Sequence, residues 1–500
     1  VATAGNPQPR QIGVLDGLPS SRVNAIAEDR QGFLWIATRD GLARYDGVGF
    51  RVWRTEDGLR DNSVWSVHVD ARDRVWIGTS RGGVSMLDVD RTRFTHYTRS
   101  SHPEMGADDV WAVTSTPDGA IWFGTAESGL YRIDDDGRMQ RFRADPADPR
   151  SLPGDAVGYL VVQEDGTLWV GCKTGVAAWT GQDFAPVALP TPPGALVEGL
   201  TVGSAGELWI GVQGRGVIRH PDGRTELIPL SDPVLGEPVL HMLAEDRQGA
   251  RWYDSRSGLA REIDGRLEDV PLYSVASRGA VRPAWASAFE DREGGLWFAS
   301  NDTGLWYLPA NWRNFTVLQR RISDPATLGN AIVNAIAPAA DGGLWLVGSG
   351  GALDHLDPRT GRIDHRLTRV CGTQVSSGVI EMTSGVIWVA CMRHHLVRYD
   401  PATGERRAWN ESGGVHAAPS NGIAGLVEAA EGVLWIADSG GLQARAADGD
   451  VVVSIRPGAG HGLPGSVRPT RLVRGPDGGV WLATTGGLFL WNGGEARFQP

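Results

Sequence analysis

Short runs of apolar, β-branched or aromatic residues recur along this chain, separated by Gly, Asp and Ser turns. That alternation predicts short strands joined by hairpins. The stretch 64–97 shows the unit: 64–69 reads as a first strand, 70–73 as a turn, 74–79 as a second strand, 83–88 as a third and 93–97 as a fourth. Eleven times a tryptophan sits on the second strand of such a unit: Trp35, Trp76, Trp122, Trp169, Trp209, Trp252, Trp297, Trp345, Trp388, Trp435 and Trp481, 40 to 48 residues apart. Repetition at that period predicts one four-stranded unit used again and again. The expected fold class is all-β: a β-propeller with a seven-bladed N-terminal ring over 1–318, followed by four blades of an incomplete second ring over 319–500.

Columns within the repeat sharpen this. Twelve residues before the tryptophan stand Val23, Val64, Val110, Val157, Val197, Leu240 and Trp285, and nine before it stand Ile26, Val67, Val113, Leu160, Leu200, Leu243 and Ala288. A separation of three places the columns on opposite faces of a strand. Both are apolar, so the first strand is expected to be covered on both sides. Ten before the tryptophan the residues are mostly small (Ala25, Ser66, Ala112, Gly199, Ser287), as strands crowding an axis require. The tryptophan, with roughly 200 Å² to bury, reads as a wedge between sheets and not as a ligand contact.

Composition adds bounds. Sixty-eight glycines fit many tight turns, and a net charge of -11 argues against a nucleic-acid surface. Lys173 is the only lysine. No stretch approaches the 18 or more apolar residues of a membrane span. The opening Val1-Ala2-Thr3-Ala4-Gly5 fits a mature end left after signal removal, or a cut boundary. Cys172 and Cys391 occupy the column of Thr38 and Thr79, where burial as small apolar residues is the default. Cys371 falls on the same face as Cys391, so a disulfide between them is the alternative in an oxidising compartment.

The segments 32–47, 57–64, 119–125 and 432–437, with their Gly-x-Leu/Ile-Trp and Asp-Gly-Leu signatures, resemble the two-component-regulator propeller repeat. The resemblance implies a periplasmic sensor region of an inner-membrane receptor. In that family two seven-bladed propellers precede a β-sandwich, a membrane helix and a cytoplasmic output, either a histidine kinase, a hybrid kinase or a diguanylate cyclase. This chain departs in having only four repeats after Trp297. The expectation is therefore a fragment of a longer receptor, a homodimer when whole, whose sandwich, anchor and output lie outside these residues.

Residues 11–18 look like a fourth strand and its exit turn, by comparison with 52–59. They could close the first ring beside the Trp297 blade, or serve the second ring. The second option is slightly favoured, because 314–318 reads as a fourth strand for the Trp297 blade.

Loops at one end of a propeller channel are where ligands are expected. Eleven residues before each tryptophan the first ring carries Asn24, Trp65, Trp111, Gly158, Glu198, His241 and Ala286, a mixed aromatic and polar set suited to stacking on a sugar or ring. The second ring has Asn334, Ser377, Ala424 and Thr470 there. Candidate ligand contacts are Asn24, Trp65, Trp111, Glu198 and His241, with Arg39, Arg81 and Lys173 from turns after second strands. The ligand is an unidentified small molecule, a carbohydrate being one option. Packing of Trp65 and Trp111 between blades is the competing reading.

Catalysis has little support: no nucleophile elbow, phosphate loop or zinc-spaced Cys/His set occurs. No cofactor or metal is expected. His394-His395 would point to opposite faces, and Asp134-Asp135-Asp136-Gly137 reads as a hairpin turn. Three functions compete. The first is the ligand-sensing region of a membrane-bound receptor. The second is a lyase-type propeller enzyme resembling the streptogramin lyases, with His241 and Glu198 as base and partner. The third is a protein-binding scaffold.

Overall fold

The computed structural model describes the chain apart from residues 1–6, 192–194, 222–223, 264, 275–278, 315–317, 319, 321–325, 373–374, 393–394, 410–422, 430–431, 439–440, 477, 493–494 and 496. Among the described residues eleven sheets have four strands, and one hairpin, Leu272–Ser274 with Gly279–Val281, has two. All the pairings are antiparallel, with the strands of each sheet meandering in chain order in all but one. The chain divides into two compact units near residue 316.

In the N-terminal unit seven sheets form a closed β-propeller ring. The first strands Val23–Glu28, Val64–Val69, Val110–Ser115, Val157–Val162, Val197–Val202, His241–Glu245 and Trp285–Glu290 neighbour one another in order, and the last returns to the first. We number the blades 1 to 7 accordingly. The seam is sewn by the chain start: Arg10–Ile12 pairs with Gly304–Leu308, the third strand of blade 7, with Gln11 opposite Trp306. Gln11 Nε2 also donates to Thr303 O at 2.7 Å. The N-terminal strand therefore closes the first ring, correcting the preference for the second. The fourth-strand place in blade 7 is taken, and of the proposed strand 314–318 Asn314 instead ends a 3-10 turn, Trp312–Asn314, while 315–317 lie outside the described residues. The likeness of 11–18 to 52–59 is real: each strand exits through a one-turn 3-10 segment, Val14–Asp16 and Thr55–Asp57, ending on Gly17 and Gly58 at φ near +100°, where glycine carries no steric cost.

The repeat tryptophans are wedges. Trp35 shares a core with Val64, Val67, Ile77 and Leu87 of blade 2, and Trp76 with Val110, Val113 and Phe123 of blade 3. Each indole N–H needs an acceptor in that dry place. In blades 1, 2, 6 and 7 an aspartate six residues earlier provides it: Asp29 (2.9 Å), Asp70 (2.8 Å), Asp246 (3.2 Å) and Asp291 (2.7 Å). Thr116 and Gln163 substitute in blades 3 and 4. The other carboxylate oxygen of Asp29 accepts from Gln31 N and Phe33 N, so one side chain ties the turn to the wedge.

Val64 and Val67 lie in one cluster facing blade 1, and Val110 and Val113 in one facing blade 2. The columns twelve and nine residues before the tryptophan thus share a face, contrary to the strict alternation expected. The reason is a β-bulge between them. Its extra residue resets the alternation.

The C-terminal unit holds four sheets, blades 8 to 11, with first strands Val333–Pro338, Ser376–Glu381, Ile423–Glu428 and Pro469–Arg474 side by side in that order. A disulfide joins Cys371 to Cys391 with Cα atoms 5.6 Å apart, so the alternative holds over separate burial, while Cys172 is free and buried.

Candidate functional site

The bulge is what builds the site. In blade 1 Val23 pairs with Thr38 and Ala25 with Ala37, leaving Asn24 unpaired between them. The same skip leaves Trp65, Trp111, Gly158, Glu198 and Ala286 unpaired in blades 2, 3, 4, 5 and 7. A bulged residue is turned out of the ladder, so five of these six blades aim a side chain at the same end of the channel, and Gly158 of blade 4 leaves a gap among them. Blade 6 differs. There the skip moves to Leu243, and His241 pairs directly with Asp254.

These residues line one cavity of about 350 Å³: Asn24, Trp65, Trp111, Gly158, Glu198, His241 and Ala286, with Ala156, Tyr159, Lys173, Val197, Trp285 and Asn301. A second cavity of about 440 Å³ shares Tyr159, His241 and Ala286 and runs on along the first strands past Leu200 and Ser287. Of the eight sequence candidates, six are gathered here. Arg39 and Arg81 are exposed on their turns and do not line the cavity. Arg81 N donates to Asp61 Oδ2 at 2.8 Å.

Local packing fixes the lining. Trp65 and Trp111 sit with ring centroids 6.5 Å apart at 44°, and Trp65 is 42 % exposed, so these two indoles meet each other at the mouth. Trp111 lies over Gly158, whose missing side chain leaves room. His241 is seated between two glycines of blade 5: a Cβ on Gly199 would meet its ring at 2.5 Å, and one on Gly211 would meet its Cβ at 2.4 Å. Asn24 Nδ2 donates to Val64 O at 2.7 Å, bridging blades 1 and 2. Tyr159 Oη donates to the carbonyl of Glu198 at 2.7 Å.

Polar groups in the mouth lack partners. Glu198 Oε2, His241 Nδ1 and Trp285 Nε1 are buried with no hydrogen bond. His241 Nδ1 stands 3.9 Å from Asp254 Oδ2, too far for one. Burial pushes the His241 imidazole down to about 4. Burial, with Glu198 adding, pushes the Asp254 carboxyl up to about 8, so it is protonated at neutral pH. Burial likewise raises the Tyr159 phenol to about 12. The base-and-partner bond that a His241–Glu198 catalytic pair needs is not formed. Among the described residues no three His, Cys, Asp or Glu side chains gather as a metal site, and the pair His394-His395 falls outside the described side chains.

Two lining residues, Tyr159 and Trp285, and the neighbouring Asp254, which pairs with His241, stand outside the candidates read from the sequence. Each breaks a column. Tyr159 stands where the others are mostly small, Trp285 where they are Val or Leu, and Asp254 where Ala37, Gly78, Gly124, Gly171, Gly211 and Ala299 stand.

Comparison with known proteins agrees with the repeat. The model of the two component regulator propeller family matches residues 17–40 and 58–81. A 40-residue segment is 48 % identical to part of Histidine kinase P4 of Formosa agariphila, covering 8 % of this chain and 3 % of that protein. Among solved structures, the extracellular domain of BT3049 from B. thetaiotaomicron, described as a hybrid two component system, superposes with a TM-score of 0.70 at 16 % identity, over 99 % of this chain and 72 % of that one. The corresponding domain of BT4673 gives 0.50 at 18 % identity, over 99 % and 67 %. Residues 17–40 and 58–81 thus match the two component regulator propeller family, in a chain whose described sheets repeat the four-stranded blade to which those segments belong.

Proposed function

We propose that this chain is the ligand-sensing region of a membrane-bound signalling receptor, facing the periplasm, and that the mouth of the seven-bladed ring holds the ligand. The observation that carries this is the mouth itself, where three buried polar atoms without partners and two neighbouring, mutually tilted indoles line one cavity. Buried polar groups are nearly always satisfied, so a cluster of orphans in a cavity is expected to be completed by a bound molecule. The repeat type and the fold shared with the extracellular domain of BT3049 support a place in a receptor. The output, a histidine kinase or diguanylate cyclase, belongs to the whole receptor in this reading. Signalling follows if the ligand binds one arrangement of receptor chains better than another, by typically 1–3 kcal/mol.

The test is a screen of the chain against mono- and disaccharides and amino acids by thermal shift and calorimetry, repeated with Trp65→Ala/Trp111→Ala. Binding that disappears in the double variant while its circular dichroism is unchanged supports the proposal. Binding that survives the double variant places the ligand elsewhere and defeats it. Loss of a protein partner alone would favour the scaffold reading.

A further inference from the structure

Two opposite charges face the mouth without meeting. Lys173, the sole lysine of the chain, follows the second strand of blade 4, and Glu198 is the bulged residue of blade 5. Both line the cavity, yet no ion pair joins them, and Glu198 Oε2 is buried without a partner. The Lys173 ammonium enters no hydrogen bond or ion pair among the described residues. Glu198 Oε2, buried without a partner, is costly unless something completes it, while Lys173 is exposed at the rim with its ammonium open to an anion, and a charge-assisted hydrogen bond at each end is the strongest completion available.

A neutral sugar satisfies neither charge fully. A lone cation leaves Lys173 facing it, and a lone anion leaves Glu198 facing it. A dipolar solute satisfies both. The volume, about 350 Å³, lies near the lower end for small-molecule sites and suits one small ligand. Beside the two charges stand Trp65 and Trp111, a surface for an apolar or aromatic side chain.

We propose that the mouth binds a free α-amino acid as its zwitterion, with Lys173 on the carboxylate, Glu198 on the ammonium and the side chain against Trp65 and Trp111. This rests on the mouth being the ligand site. Asp254 is protonated at neutral pH and so leaves Glu198 as the acceptor for the ammonium.

The experiment titrates the full chain at pH 7 with L-phenylalanine, L-tryptophan and L-leucine. It then uses two analogues of phenylalanine, phenethylamine without the carboxylate and 3-phenylpropionate without the amine, and cellobiose as a neutral control. At least one amino acid is expected to bind, with each one-charge analogue weaker by ~10-fold or more, the usual size of a lost charged hydrogen bond. Lys173→Met should erase the preference for phenylalanine over phenethylamine and keep that over 3-phenylpropionate. Glu198→Gln should do the reverse. That crossed pattern separates recognition from a general loss of structure, which would weaken every probe alike. Cellobiose binding without any amino acid overturns the zwitterion while leaving the mouth as the ligand site. Binding of an amino acid that Lys173→Met and Glu198→Gln leave untouched also overturns it. Silence from every probe, with an intact fold, overturns both readings.

Discussion

The two units use the same repeat differently. In the ring, the position six residues before the wedge tryptophan is Asp in four blades and Thr or Gln in two more, and in those six the indole N–H is satisfied inside its own blade, whereas blade 5 has Gly203 there and its Trp209 Nε1 is buried without a partner. In blades 8 to 11 that position is Ala339, Met382, Ala429 and Gly475. Trp345 borrows an acceptor from the next blade, Glu381 Oε2 at 2.7 Å, while Trp388 Nε1 is buried with none. The sheet faces differ at blade 8: Ile336 is 61 % exposed, whereas Val379 and Leu472, in the same column of blades 9 and 11, are 8 % and 5 % exposed, like Val67 and Val113 in the ring at 7 % and 8 %. Wedge and acceptor are thus separable: packing builds a blade, and the aspartate refines it. Closure then covers the last apolar face.

The largest expected effect tests the wedge. Trp252→Ala, at a fully buried indole, should cost about 3–5 kcal/mol in urea unfolding, and Trp481→Ala, half-buried in blade 11, only about 1–2 kcal/mol. Equal costs would erase the distinction between the units. Next comes closure. Ile12→Ala, in the sewn strand, should destabilise the ring by about 2–4 kcal/mol, read as a downward shift in the urea midpoint. An unshifted midpoint would mean that the seam contributes nothing.

A smaller loss is expected for Asp70→Ala, about 1–3 kcal/mol in melting experiments, because Trp76 Nε1 and the turn amides lose their acceptor together. Ala429→Ser in blade 10 offers no such group to lose and should stay near neutral.

The pH dependence is smaller again. Asp254 keeps its proton up to about pH 8 in the folded ring but would release it near 3.8 when unfolded. The folded state therefore binds the extra proton between those values, and stability falls as pH rises through that window. His241 and His68 act oppositely. Both are held down to about 4 by burial, so stability falls as pH drops from 6.5 towards 4. Between pH 6.5 and 8 Asp254 acts unopposed by them, with a slope of at most about 1.4 kcal/mol per pH unit. Asp254→Asn should flatten that decline, and an unaltered slope would remove Asp254 as its cause. Least of all, Arg39→Ala and Arg81→Ala, exposed on turns, should change stability by no more than about 0.5 kcal/mol in the same melts.

The repeat and the wedge role of its tryptophan were legible because a fixed period exposes them. The mouth residues were legible for the same reason: pseudo-equivalent positions stand at one height, whatever the local geometry that aims them. The bulge was not legible, since no residue type marks it. Asn, Trp, Gly, Glu and Ala all occupy it, and its presence reversed the expected facing of Val64 and Val67. Ring closure was ambiguous because 314–318 also looks strand-like, and which of two candidates pairs with Gly304–Leu308 depends on contacts almost three hundred residues away. Tyr159, Trp285 and Asp254 were visible as departures from their columns. Reading the exceptions, and not only the rule, would have found them.

The bond from Gln11 to Thr303 spans 292 positions. A chain emerging from the ribosome must carry its first strand unpaired through the making of nearly seven sheets. Only then does its partner exist, so the ring's final stitch is a late event in folding. Until that moment Ile12 and the flank of blade 1 stand open to water or to a chaperone, and anything that captures the first dozen residues would stall the circle one strand short.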